Sequence, residues 1–149
     1  MNAPASLAEA RRWGIEQLAA TSPSAAIDTD CLLAAATGLT PVRWRAWPET
    51  PLDPDAWQRF HDTLQRRRSG EPVAYLLGRR GFLDFELAVT PAVLIPRPET
   101  EHLVEAALEE VTDRILELGT GSGCIAIALA RAWPDARIDA VDVSDEALA

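Results

Sequence analysis

No lysine occurs in this chain of 149 residues; all fourteen of its lysine-or-arginine positions are arginine. A replacement that uniform reflects a compositional bias of the genome rather than chemistry at one site. No run of about 18 uncharged apolar residues is present, which excludes a membrane-spanning helix. The first twenty residues carry Glu9, Arg11, Arg12 and Glu16 among their apolar positions, so they do not make a secretory signal peptide. The two cysteines, Cys31 and Cys124, fall in separate helical patterns. That points to a reduced, cytoplasmic setting and away from a disulfide framework. His61 and His102 stand at no metal-ligand spacing from either cysteine, so no metal site is expected. Cys124, with no companion histidine, reads as a small buried residue.

What is present is globular: 48% of residues are apolar and 25% charged. The net charge of -9 is unevenly spread. Residues 1–80 hold ten arginines against nine acids, whereas residues 81–149 hold four against fourteen. The acidic half excludes a broad nucleic-acid surface there, because phosphate binding needs clustered cations. Residues 59–80 are locally basic, with Arg66, Arg67, Arg68, Arg79 and Arg80. They read either as a face for an acidic or RNA-bearing partner or as a solvated helix end favoured by the helix dipole.

Local signals divide the chain. Ser6 and Glu9 form a capping box for a helix over residues 6–19, with Leu7, Gly14, Ile15 and Leu18 on one face. Ser22-Pro23, read as cap and first-turn proline, opens a second helix that Gly38 stops. A short element follows over "TPVRWRAWP". Asp53-Pro54 starts a third long helix with Trp57, Phe60 and Leu64 inward, and "PVAYLLG" reads as a brief helical turn. Trp13, Trp44, Trp47 and Trp57 are expected in the core of this small all-α domain, residues 1–75. Residues 76–97 read as a β-hairpin and a stiff proline-rich linker. From Pro98 a helix is expected with Leu103, Val104, Ala107, Leu108 and Val111 as its apolar stripe. "RILEL", a glycine loop, a helix through Arg131, "ARIDAVDV" and a helix capped by Ser144 then open an α/β domain with a parallel sheet, residues 98–149. Two parallel strands and a hairpin cannot cover their own apolar surface. The chain is therefore expected to be a fragment, with the α/β domain truncated.

The glycine loop carries the chemistry. Gly119, Gly121 and Gly123 sit between a strand and a helix N-terminus, where a ligand can approach bare backbone. Gly121-x-Gly123-x-x-Ala126 fits the dinucleotide-binding turn. Glu117-x-Gly119-x-Gly121-x-Gly123 fits the loop of S-adenosylmethionine-dependent methyltransferases. Asp142, twenty-one residues beyond Gly121, is placed to accept from ribose hydroxyls and serves either cofactor. Glu117 tilts the reading toward S-adenosylmethionine: a carboxylate there suits the methionine ammonium and repels a pyrophosphate.

Upstream lies "LIPRPETEHLVEAAL", preceded by "RRRSGEPVAYLLGRRGFLDFELAVTP". With the glycine loop, these stretches in register strongly resemble the bacterial protein-(glutamine-N5) methyltransferases that act on peptide chain release factors. The resemblance implies a helical substrate-recognition domain before a Rossmann-like S-adenosylmethionine-binding domain. It implies that Gly119, Thr120, Gly121, Ser122 and Gly123 wrap the methionine part of the donor and that Asp142 binds its ribose. Arg97, Pro98, Glu99 and Thr100 match the family's Pro-Arg-Pro-Glu/Asp-Thr-Glu signature and are expected in the cofactor and substrate cleft, with Phe82 and Phe85 in the same wall. Arg97 also has a plain reading, as a partner of Glu99 or Glu101 at a helix start. The implied reaction is methyl transfer to the glutamine side-chain amide of a Gly-Gly-Gln motif in a release factor, near the ribosome but without direct nucleic-acid or membrane binding. The family's Asn-Pro-Pro-Tyr loop does not occur in the 149 residues, so no catalytic residue is assigned, and the chain alone is expected to be inactive. Rival readings are a nicotinamide-dependent oxidoreductase, a nucleic-acid amino methyltransferase, and a bare interaction module built on the helical domain.

Overall fold

A computed structural model describes residues 4–110 and 113–148. It divides into two compact units, Met1–Leu77 and Gly78–Ala149.

The first unit is helical: α1 (Leu7–Leu18), α2 (Ala25–Thr37), α3 (Pro41–Ala46), α4 (Pro54–Arg68) and α5 (Val73–Leu77). Caps set the ends. Ser6 Oγ accepts from Glu9 N at 3.3 Å, and the Glu9 carboxylate reaches back to Ala5 N at 2.8 Å. Asp53 accepts from Asp55 N and Ala56 N at the start of α4, with Pro54 in its first turn. Gly38 ends α2 in the left-handed region, φ 70°.

The start of α2 differs from the expectation. Ser22-Pro23 lies outside the helix, which begins at Ala25. The Ser22 and Ser24 hydroxyls donate to the two oxygens of Asp28, at 2.7 and 3.0 Å. They are thus engaged by a side chain in the first turn rather than by the helix's own N–H groups.

The core gathers Leu7, Leu18, Leu32, Leu33, Trp44, Phe60 and Leu64. Gly14 lets α1 approach Thr29 and Phe60 closely. Arg67 clasps α4 to α2 through Asp28 at 2.8 Å, and donates to Ser22 Oγ at 3.2 Å and to the Glu71 carbonyl at 3.3 Å. Arg67 is therefore a structural residue and not part of a free basic face, and Arg66 is paired with Glu71. Burial pushes the Asp28 carboxyl up, but the bonds from Ser22, Arg67 and Ser24 together hold it below its ordinary value. Of the tryptophans expected inside, Trp44 is buried, and Trp13 and Trp57 pack against the core at 4.8 Å from each other. Trp47 corrects the expectation: it is 60% exposed, with the Arg43 guanidinium 5.0 Å from its ring. It is the C-cap of the six-residue α3, at φ -131° and ψ 72°, so the backbone has left the helical path that would have put it on the same face as Trp44, three positions earlier.

The second unit opens with a hairpin, β1 (Arg79–Phe82) and β2 (Phe85–Ala88), antiparallel with Phe82 opposite Phe85. Leu83, at φ 49°, makes the turn. The linker leads to α6 (Glu99–Leu108). Then β3 (Arg114–Leu118), α7 (Cys124–Ala132) and β4 (Arg137–Val141) form a βαβ unit, with β3 and β4 paired in parallel and in register from Arg114–Arg137 to Leu118–Val141. The α6 stripe is only partly covered: Val104 is buried, whereas Leu103 and Leu108 are exposed. Val111 lies outside the described residues. After β4 the described residues form a turn in which Ala147 N bonds to Ser144, and not the expected helix. None of the described helices is long and apolar enough to cross a membrane.

Candidate functional site

The loop between β3 and α7 is fastened from three sides. The amides of Gly119 and Thr120 donate to the Val141 carbonyl, at 2.8 and 3.0 Å, so the end of β4 fixes where the loop begins. Gly121 N donates to Asp142 Oδ2 at 2.8 Å. Glu117 Oε2 accepts from Thr120 Oγ1 at 2.9 Å and from Ala126 N at 3.0 Å, bracing the loop against the first turn of α7. Gly119, Gly121 and Gly123 all have positive φ, of 73°, 54° and 73°. At Gly123, the residue before α7, a side chain would also meet Ile127 at 3.3 Å.

The two oxygens of Asp142 accept from separate strands of backbone: Oδ1 from Ser144 N at 3.0 Å and Oδ2 from Gly121 N. Those amides, Ser144's first, hold the carboxyl below its ordinary value, so it is an ionised acceptor at neutral pH. Cys124, at the first turn of α7, is buried. Burial pushes its thiol up despite the helix N-terminus, which leaves it a neutral packing residue.

Beside the loop lies a cleft of about 410 Å³, within the size range of small-molecule sites. Its walls are Thr120 to Gly123, Ala126 and Ile127 on one side, and Ala88, Thr90 and Val93 from the hairpin and linker on another. Glu146 is the one charged side chain among the described lining residues. The residues singled out from sequence divide accordingly. Thr120, Gly121, Ser122 and Gly123 line the cleft, while Gly119, Glu117 and Asp142 are not among its described lining residues and fasten the loop through hydrogen bonds. Arg97 lies just before the Pro98 cap of α6 and Thr100 in its first turn; α6 packs on α7, and neither residue is among the described lining of the cleft. Arg97 is exposed, and Glu101, one of its expected partners, accepts instead from Leu83 N at 3.1 Å. Phe82 and Phe85 pack edge to face at 5.9 Å away from the cleft, with Arg131 over Phe85 and paired to Asp84 at 2.8 Å. Ala88, Thr90 and Val93 were not among the expected site residues. The only sign of them in the sequence is that they join a hairpin to a proline-stiffened segment, and a hairpin end must pack on something.

Comparison with known proteins bears on both units. The family model for the PrmC N-terminal domain matches residues 9–78, and that for the methyltransferase small domain matches residues 98–149. The chain is 42% identical to the release factor glutamine methyltransferase of Shewanella oneidensis over 96% of its own length and 51% of that relative's. It is 51% identical to the enzyme of that name from Pseudomonas aeruginosa, over 86% of this chain and 48% of the relative. The corresponding Escherichia coli protein is 46% identical, over 92% and 50% respectively. The chain belongs to the release factor glutamine methyltransferase family. It spans about half the length of the curated relatives it matches. The helical unit coincides with the family's N-terminal domain, and the glycine loop falls in its methyltransferase domain.

Proposed function

We propose that the protein to which this chain belongs transfers a methyl group from S-adenosylmethionine to the side-chain amide nitrogen of the glutamine in the Gly-Gly-Gln motif of peptide chain release factors, in the cytoplasm. Identity of 42% over 96% of the chain to a release factor glutamine methyltransferase carries this reading. The βαβ unit fits the opening of a Rossmann-like sheet.

The residues present fit the methyl donor better than a dinucleotide. The cleft wall offers backbone at a helix N-terminus and a carboxylate, with no cation among the described lining residues to face a pyrophosphate. Thr120 to Gly123 would hold the methionine part of the donor. Asp142, already ionised and aligned by two amides, would accept from the ribose hydroxyls. Glu117 keeps the loop in shape and adds negative potential favourable to an ammonium group. When bound, S-adenosylmethionine supplies an electrophilic methyl on a sulfonium. An amide nitrogen is a weak nucleophile because its lone pair is delocalised into the carbonyl, so the reaction depends on holding that nitrogen in line. The family's Asn-Pro-Pro-Tyr loop would do this, and it is absent from the 149 residues.

Incubating the full-length enzyme with methyl-tritiated donor and a release factor tests the reading. Label is expected on the Gly-Gly-Gln glutamine and is lost when that glutamine is replaced. S-adenosylhomocysteine is expected to raise the melting temperature where NAD does not; the reverse would return the site to a nicotinamide enzyme.

A further inference from the structure

On the helical unit, remote in sequence from the glycine loop, a second cleft of about 420 Å³ opens between α1 and α3. Arg11 and Arg12 of α1 and Arg45 of α3 line it, with Glu16 and the buried indole of Trp44. Asp30 organises two of these cations. It takes a two-point bond from Arg11, at 2.6 and 3.2 Å, and a third contact from Arg45 at 3.4 Å. Three guanidiniums thus meet two carboxylates, and Arg12 and most of Arg45 remain open to solvent. Trp44 Nε1 is buried with no acceptor among the described residues, an unmet donor in the same wall. Along the outer side of α3, Val42 is 71% and Trp47 60% exposed. Exposed tryptophan and arginine beside a desolvated wall is the composition of a protein-binding hot spot.

We propose that this cleft docks a carboxylate-bearing segment of the protein substrate, whose acids pair with Arg12 and Arg45 and whose apolar side chain rests on Trp47. The proposal rests on the reading of the chain as part of a release-factor methyltransferase. A protein segment fits better than RNA. Glu16 and Asp30 would repel a continuous phosphate chain, and Arg43 already covers one face of the Trp47 ring against base stacking. Arg45 is a suitable handle because removing it leaves Asp30 its two-point bond to Arg11.

The test uses the full-length enzyme and its R12E/R45E and W47A variants. Melting temperature and S-adenosylhomocysteine affinity confirm folding. The variants are expected to raise KM for intact release factor by about tenfold while kcat at saturation stays within about twofold. A fluorescent peptide of alternating glutamate and leucine is expected to bind the wild type by anisotropy and to lose affinity by a similar factor in R12E/R45E. An unchanged KM with undiminished peptide binding overturns the proposal. So does competition by a single-stranded RNA oligonucleotide where the peptide fails, which would make the cleft a nucleic-acid surface. If the wild type methylates no release factor, the functional reading falls, and the peptide measurement still decides the cleft.

Discussion

Two glycines show how differently one residue type can matter. Gly14, in the middle of α1, is there for space: a Cβ would lie 2.7 Å from Thr29 Cγ2, 2.8 Å from Phe60 Cζ and 3.0 Å from Leu64 Cδ1. Alanine would gain about 1 kcal/mol of helix propensity, but the clash with a closed core costs more. Gly14→Ala is expected to destabilise by about 2 kcal/mol net, read by urea denaturation. Gly123 is there for conformation, at φ 73° before α7. Gly123→Ala in the full-length enzyme strains the backbone and crowds Ile127, which lines the cleft. Calorimetry is expected to show S-adenosylhomocysteine binding weakened about tenfold. Gly38, at φ 70° with open space around it, is the control: Gly38→Ala carries the same backbone strain and should leave donor affinity alone. Sequence disclosed the second glycine's role because a loop motif is local. It showed Gly14 only as a member of the inward face, since the neighbours that exclude a methyl group come from α2 and α4.

Elements were legible where their signals are short-range. The capping box at Ser6 and Glu9, Asp53-Pro54 and the Gly38 stop are bonds among residues a few positions apart. The start of α2 was not legible, because Ser22 serves Asp28, and Asp28 in turn serves Arg67, 39 positions away. The cleft wall of Ala88, Thr90 and Val93 was missed for the same reason: it depends on where the hairpin packs. The Asp28–Arg67 clasp makes an element-scale prediction. Arg67→Ala leaves a buried carboxylate without its cation and is expected to cost about 3 kcal/mol. The folded Asp28 carboxyl titrates below its ordinary 3.8. Its contribution is therefore complete above that value and disappears as pH falls through the lower, folded one. Asp28→Asn is expected to be less stable than wild type at neutral pH, with the gap closing below about pH 4, in thermal melts across that range. A constant gap would mean that the lost hydrogen bonds to Asp28, and not its charge, account for the difference.

At the scale of the whole molecule, apolar surface and charge oppose each other in the second unit. Side chains alternate across β3 and β4, so Leu116, Leu118 and Val141 share one face of the two-stranded sheet. They are 63%, 74% and 44% exposed. Ile115 and Ile138, on the other face, are partly covered. Arg114, Arg137 and Asp139 share the face of Leu116, Leu118 and Val141, but the three exposed apolar side chains form a patch toward its other end, which favours association of copies. The same unit carries fourteen acids against six arginines, and that surplus repels another copy at a distance. Salt decides between the two, because a Debye length of roughly 30 Å at 0.01 M shrinks to about 3 Å at 1 M while apolar attraction persists. The 149-residue chain is therefore expected to run as a monomer at low salt and to associate as salt is raised, by light scattering after size exclusion. A charge on that patch, Leu116→Glu with Leu118→Glu, is expected to keep it monomeric at high salt. If salt instead dissociates the chain, the contact between copies is ionic and the exposed sheet face is not what joins them.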